Sequence, residues 1–274
     1  MVKITELKKL KRLYKVTFDD FFEFDELENT DEIYVCEDTI VRFMLSKDKS
    51  FELDELEELV RFDQFAQGKS LAVYFISFKS RTSGEVRKYL TEHEISSEQI
   101  EAVLSNLTEI GLLNDYSYAE SFIRGKINLA SSGPYQIKQK LYQKGIPDDV
   151  IAEQLDEFYD EEAQIDVAFK MAEKLVRQKS YKYTLSQLKQ KIIQNLMAKG
   201  FSYSIADIVL ADLELEADEE NEAELLADEL EKTARKYARS YDGYELKNRI
   251  TQALARKGFD FSDIRNAIDD YEFD

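Results

Sequence analysis

The chain has 274 residues, 43% of them hydrophobic, and its 37 basic and 56 acidic side chains leave a net charge of −19. Apolar content on that scale supports sizeable cores, and only two prolines and nine glycines argue against a loop-rich or all-β chain. The acidity disfavours nonspecific attraction to a bare phosphate backbone, which needs a basic footprint. A single cysteine excludes an intrachain disulfide and fits a reducing compartment.

In chain order, the opening MVKITELKKLKRLYKV is charged throughout and has no apolar core of the kind a signal peptide carries. No later run approaches the roughly 18 apolar residues of a membrane span, so a cytoplasmic protein is expected. Residues 1–66 read as a small β-rich cap with one or two helices. Arg12 to Phe18 alternates, Phe21 to Phe24 and Ile33 to Cys36 are short β-prone runs, and Asp19-Asp20 is placed as a hairpin turn. Asp38 is a candidate cap for a short helix through Ile40, Val41 and Met44, and Leu53 to Phe65 follows at helical spacing.

From residue 67 onward the pattern is helical and punctuated. The segments 67–112, 113–159, 160–213 and 214–274 each read as a three-helix unit. The second is the clearest. Asn114-Asp115 offers N-cap oxygens to a helix carrying Tyr118, Ala119, Phe122 and Ile123. Gly133-Pro134 starts a second helix with Ile137 and Leu141 inward, and Lys144-Gly145 ends it. Ile146-Pro147-Asp148 then opens a third helix with Val150, Ile151 and Leu155 on its apolar face.

The middle helix recurs. Ile137-Lys138-Gln139-Lys140-Leu141 before Lys144-Gly145 is echoed by Leu188-Lys189-Gln190-Lys191-Ile192 before Lys199-Gly200. It returns as Leu246-Lys247-Asn248-Arg249-Ile250 before Lys257-Gly258, with a weaker copy at Val86 to Leu90 before His93-Glu94. The interval from the first apolar residue to the terminator is 8 residues in the two upstream copies and 12 in the two downstream ones. Four extra residues make about one turn and keep the stripe in phase. The fold class is therefore mainly α, a tandem array of about four three-helix repeats with a small N-terminal β-containing cap. Between Asp212 and Glu231 stand 11 carboxylates and no cation. Leu215, Ala223, Leu226 and Leu230 run an apolar stripe through them, which reads as the solvated face of a long helix from about Glu214 to Ser240.

Enzyme chemistry finds little support. His93 is the sole histidine and reads as a helix-end residue; Cys36 reads as a small buried hydrophobe. His and Cys are too few to build a metal site, no glycine loop cradles a phosphate, and carboxylate pairs are uninformative at this acidity. Tyr74, Phe75, Phe78, Tyr118 and Phe122, at i,i+4 spacings, read as core rather than base-stacking residues. No catalytic residue, cofactor or metal is expected.

Leu113-Asn114-Asp115, Tyr118-Ala119, Gly133-Pro134, Ile137-Lys138, Leu141 and Lys144-Gly145-Ile146, in that order and spacing, resemble the hallmark of the RecX family, regulators of the recombinase RecA. Phe78-Lys79-Ser80-Arg81 with Glu85-Val86 and Tyr89-Leu90 is similar to that family's first repeat. The resemblance implies a non-enzymatic, monomeric modulator, most simply an inhibitor, that docks on the RecA–single-stranded DNA filament. Filament extension, ATP turnover, strand exchange and coprotease activity would be limited, and DNA would be touched only through the filament. The array alone would equally permit a helical-repeat scaffold for another protein, and direct binding of single-stranded DNA is a weaker third reading. Charge segregation suggests the docking residues: Lys138, Lys140, Lys144, Lys189, Lys191, Lys247 and Arg249. The second helices of repeats two to four together carry +9, leaving −28 for the rest, which can place a positive surface on an acidic protein. For Lys144, Lys199 and Lys257, a favourable position at a helix C-terminus is the simpler explanation.

Overall fold

The structure, a computed structural model, describes residues 1–24 and 27–271. It opens with strands β1 (Val2–Lys9), β2 (Tyr14–Phe24) and β3 (Leu27–Val35), then helix α1 (Glu37–Arg42) and a short strand β4 (Ser50–Phe51). The four form one antiparallel sheet in the order β3-β2-β1-β4. Alternation explains it: Val2, Ile4, Val16, Phe18, Phe22, Ile33 and Val35 point to one buried face, as a period of two requires. Phe51 of β4 joins that core, together with Leu45, Leu56 and Leu59 from beyond the sheet.

Two sequence readings are corrected here. Asp19-Asp20 is not a hairpin turn but lies within β2, where the pairing with β3 shifts register between Thr17 and Phe22. Asp19 accepts the Lys3 N–H (2.7 Å) and Asp20 accepts the Phe21 N–H (2.9 Å), so both carboxylates satisfy backbone at the irregularity rather than reversing the chain. The reversal instead falls at Leu10–Leu13, closed by the Leu10 N–H to the Leu13 carbonyl. Asp38 is not the cap of α1, which begins after Cys36; Asp38 sits in its first turn, where a negative charge suits the helix dipole.

Thirteen helices are present among the described residues. Helix α2 (Leu53–Ser77) runs unbroken past residues 66 and 67, so the helix read from Leu53 to Phe65 continues into the first helix of the unit read from residue 67. Its first half covers the sheet, and its second half joins α3 (Ser83–Glu92) and α4 (Ser97–Glu109) around Ala72, Val86, Leu90, Ile100, Val103, Leu104 and Leu107. Gly68, mid-helix, lets α2 approach this group: a Cβ there would stand 3.3 Å from Val103. A buried cluster ties α1 to α2. Asp63, only 4% exposed, accepts hydrogen bonds from the Cys36 N–H (2.7 Å), Thr39 Oγ1 (2.6 Å) and Gln67 Nε2 (2.5 Å).

The chain then continues through α5 (Asp115–Asn128), α6 (Pro134–Gln143), α7 (Asp148–Phe158), α8 (Glu161–Lys179), α9 (Leu185–Ala198), α10 (Tyr203–Asp212), α11 (Glu219–Tyr237), α12 (Gly243–Arg256) and α13 (Phe261–Asp270). Two compact units result. One holds Met1–Ala119 and Tyr142–Val150, the other Glu120–Leu141 and Ile151–Asp274. In the second unit α8, α9 and α10 bury Val167, Ala168, Ala172, Leu188, Ile192, Leu196, Ile205 and Val209, and α11, α12 and α13 bury Leu226, Leu230, Leu246, Ile250, Leu254, Ile264 and Ile268.

The acidic run is divided between a loop and a helix, since α10 ends at Asp212 and α11 starts only at Glu219. Asp218 caps α11, and Glu219, Glu220 and Glu222 stand in its first turn, which complements the positive end of the helix dipole. Tyr74 and Phe78 also depart from expectation. They are 62% and 68% exposed and meet edge to face at 4.9 Å, while Phe75 stacks on Tyr89 at 4.1 Å. Tyr74 lies in the last turn of α2 and Phe78, four residues on, caps its end, so the exposed pair follows the face turned from the core. No helix among the described residues is long and apolar enough to cross a membrane.

Candidate functional site: the joints between repeats and the cations beside them

The glycine terminators have a second role besides ending helices. Gly145, Gly200 and Gly258 have φ of +76°, +93° and +86°, and Glu94 holds the same left-handed conformation at +59°. At each glycine the end of one middle helix receives the beginning of the middle helix of the preceding repeat. In the first unit, the start of α3 meets Lys144-Gly145: Thr82 Oγ1 donates to the Lys144 carbonyl (2.5 Å), and a Cβ on Gly84 would lie 2.6 Å from the Gly145 Cα. In the second unit, the start of α6 meets the end of α9. The Gly133 N–H donates to the Lys199 carbonyl (2.7 Å), Tyr135 N–H to the Gly200 carbonyl (3.1 Å), and Gln136 Nε2 to the Ala198 carbonyl (2.7 Å). The start of α9 likewise meets the end of α12, with Gln187 Nε2 donating to the Lys257 carbonyl (2.5 Å).

Each joint sets the positive end of one helix dipole against the negative end of another and uses orphan groups of one helix end to satisfy those of the other. A carboxylate from the next repeat completes two of them. Asp115 accepts the Ser83 N–H at the first residue of α3 (2.8 Å), and Glu222 accepts the Leu185 N–H at the first residue of α9 (2.6 Å). The equivalent position in α6 is Pro134, which has no N–H to satisfy. The expected Asn114-Asp115 cap thereby divides its work: Asn114 accepts from the Ser117 N–H within α5, whereas Asp115 serves α3. These interlocks escaped the sequence reading, although an acid at the start of one repeat and a bare N–H at the middle helix of the previous one is a signal that could be sought.

The joints decide what several candidate cations do. The Lys144 ammonium is 2.8 Å from Glu85 and 5.4 Å from the Tyr118 ring centre. Burial works against both charges, yet the pairing prevails: the Glu85 carboxyl is held below its ordinary value by Lys144 and the Thr82 N–H, and Lys144 is raised by Glu85 and the Tyr118 hydroxyl. Burial pushes Asp115 up, against the Ser83 N–H that pulls it down. Lys257 pairs instead with Glu229 of α11, within its own repeat.

The other candidates lie on α6, α9 and α12 at matching positions. Lys138, Lys189 and Lys247 each follow the first buried apolar residue of the repeated pattern, and Lys140, Lys191 and Arg249 come two residues later. Two residues are about 200° of helix rotation, so the cations flank the buried stripe in two rows rather than forming one face. Lys138 and Lys189 are half-buried, while Lys140, Lys191, Lys247 and Arg249 are exposed. Lys247 stands 3.8 Å from Asp269, and Arg249 3.6 Å from Glu245 and 5.0 Å from the Tyr241 ring, exposed pairings worth little each.

His93 is an exposed helix-end residue whose Nδ1 lies 2.8 Å from the Tyr89 carbonyl oxygen. Cys36 is half-buried rather than buried; burial raises its thiol pKa despite a contact with Thr39 Oγ1 at 3.3 Å. No group of three or more His, Cys, Asp or Glu among the described residues could hold a metal.

Comparison with known proteins matches these repeats one by one. Residues 69–107 match the first three-helix domain of RecX, 114–155 the second, and both 161–210 and 219–268 the third. A Lactococcus lactis subsp. cremoris protein named Regulatory protein RecX is 60% identical over the whole chain and 99% of its own length. Its namesake from Streptococcus sanguinis is 46% identical over 98% of this chain and all of its own. A crystal structure of regulatory protein RecX superposes with a TM-score of 0.58 at 29% identity, covering 76% of this chain and 98% of that one. RecX from Lactobacillus salivarius superposes at 0.53 and 33% identity, over 56% and 99%. With every helical repeat matched and the full length shared with these relatives, the chain belongs to the RecX family of regulatory proteins.

Proposed function

We propose that this protein is a cytoplasmic, non-enzymatic regulator of the RecA recombinase that docks as a monomer on the RecA–single-stranded DNA filament. There it limits filament extension, ATP turnover, strand exchange and coprotease activity. Membership of the RecX family carries this reading. The joints support it physically. Repeats locked helix end to helix end hold the cations of α6, α9 and α12 at equivalent positions, so a partner built of repeating protomers can be met by a repeating set of contacts. Lys138, Lys140, Lys189, Lys191, Lys247 and Arg249 are the proposed contacts, with Lys144 engaged in the joint at Glu85.

The test is the single-strand-dependent ATPase of the cognate RecA with this protein titrated in. A fall at well below one molecule per RecA protomer is expected. A flat rate together with no binding to assembled filaments would overturn the reading. In a folded Lys138→Glu/Lys140→Glu variant the fall should require more protein; an unchanged titration would move the docking surface elsewhere.

A further inference from the structure

Repeats three and four match the same family domain and align without a gap at a constant offset of 58 residues, which sets Leu188 on Leu246, Gly200 on Gly258 and Phe201 on Phe259. Their cores agree, but one face does not. Where α8 has Ile165 and Phe169, α11 has Ala223 and Ala227. Where α10 has Ile205, Ile208 and Val209, α13 has Asp263, Asn266 and Ala267. Ile205 and Val209 are buried and Ile165 and Phe169 half-buried, whereas Ala223, Ala227, Asp263 and Asn266 are exposed. Small or polar side chains thus stand in repeat four at the places that large apolar ones occupy in repeat three, and all five of them line one hollow.

The hollow is a groove of about 670 Å³ between α11 and α13. Leu226 and Phe259, both members of the repeat's core, supply its apolar floor. Its charged groups are Glu219, Glu222, Asp260 and Asp263, with no cation among them. Glu222 and Asp260 accept the backbone N–H groups of Leu185 and Ser262. Glu219 and Asp263 enter no ion pair among the described residues. On α11 the lining recurs at positions 219, 222, 223, 226 and 227, one face over two turns, or about 12 Å at the helical rise. A ligand helix presents its i, i+4 and i+7 side chains over about 10 Å, which this wall accommodates. A purely apolar ligand would leave Glu219 and Asp263 without partners, and a simple cation would leave the apolar floor in water. The occupant that satisfies both is apolar along one stripe and cationic beside it.

We infer that the α11–α13 groove receives a cationic amphipathic helix from a protein partner, its apolar side chains filling the space that repeat three fills with its own residues and its Lys or Arg groups meeting Glu219 and Asp263. None of the cations proposed to meet the filament lines this groove, so the surface is separate from that docking face.

The test is fluorescence anisotropy of a labelled peptide of leucine and lysine, about 18 residues or five helical turns long, with its leucines in one stripe. It is titrated with the full-length protein at 25 mM salt, and a scrambled peptide of the same composition, lacking the stripe, is the reference. The striped peptide should bind at least about tenfold more tightly than the scrambled one. Ala223→Ile/Ala227→Phe, which installs the residues of repeat three, should weaken its binding at least about tenfold, with circular dichroism reporting that the variant is folded. Glu219→Gln/Asp263→Asn, at exposed positions outside the core, should weaken it about three- to tenfold and reduce its salt dependence. Glu153→Gln/Glu157→Gln removes the same charge from the exposed face of α7 and should bind like the parent. Absence of binding by the striped peptide overturns the inference. Equal binding of the two peptides overturns it in favour of unspecific attraction to an acidic protein. A folded Ala223→Ile/Ala227→Phe variant that binds like the parent overturns it as well, and if that variant does not fold, unchanged binding by Glu219→Gln/Asp263→Asn does so alone. The assay contains neither recombinase nor DNA, so this inference and the filament reading can fail separately.

Discussion

Substituting alanine at the joint glycines separates two costs that usually come together. At Gly200 the backbone has φ +93° and a Cβ would stand 2.6 Å from the Gln136 N. The left-handed conformation alone costs an L-residue about 1–2 kcal/mol. The overlap must also push the start of α6 away, weakening the Gly133 to Lys199 and Tyr135 to Gly200 hydrogen bonds, each worth about 1 kcal/mol and more where its groups stay buried. Gly200→Ala should therefore destabilise by about 3–4 kcal/mol. At Gly258, φ is +86° but the nearest atoms to a Cβ are the Ser186 side chain at 3.3 Å, which can give way. There only the conformational term remains, about 1–2 kcal/mol. Gly111, at φ +75° with nothing within 4 Å, should fall in the same range. Urea unfolding followed by circular dichroism gives the three values from the midpoint shifts. If Gly200→Ala costs no more than Gly258→Ala, the close helix-end contact is not what the glycine serves, and the account of the joint is wrong.

Glu94 adopts the conformation that glycine holds at the other three terminators, so Glu94→Gly should stabilise by about 1 kcal/mol, read as a rise in urea midpoint; a fall would mean that its side chain contributes more than its backbone costs. Glu85→Gln should destabilise by about 1–2 kcal/mol at neutral pH, since the pair with Lys144 is only partly buried. Because the folded Glu85 pKa lies below its ordinary 4.5, its contribution is present above pH 4.5 and is lost as pH falls through the lower folded value. Lys144, raised above its ordinary 10.5, contributes below that pH and loses its contribution as pH rises through the raised value. Stability of the parent minus that of the variant, plotted against pH, should therefore form a plateau across the neutral range and decline at both ends; a flat difference would remove the ion pair from the account. Asp63→Ala should cost about 3 kcal/mol by stranding the Cys36 N–H and Thr39 hydroxyl, and a loss under 1 kcal/mol in thermal unfolding would show that water replaces the carboxylate.

The helical repeats were legible because their causes are local. Apolar residues four apart, a capping residue before them and a glycine after them act within one or two turns, so Ile137 and Leu141, Leu188 and Ile192, and Leu246 and Ile250 are all buried where the spacing places them. The sheet was legible only in part. β1 was not anticipated, because Glu6, Lys8 and Lys9 break its hydrophobic alternation and its strand character rests on pairing with β2 and β4. Asp19-Asp20 misled for the same reason, since a bulge and a turn ask for the same residue type and only the partner strand distinguishes them.

What the amino-acid order by itself determined, then, is the period, the punctuation and the family signature, all properties of neighbours along the chain. Tertiary structure alone decided that Lys144 answers Glu85, that Asp115 caps a helix 32 residues upstream and that Glu219 and Asp263 share a groove. The physical reason is that a charge takes its role from whatever stands within a few ångströms of it, and at these positions that neighbour is supplied by the fold.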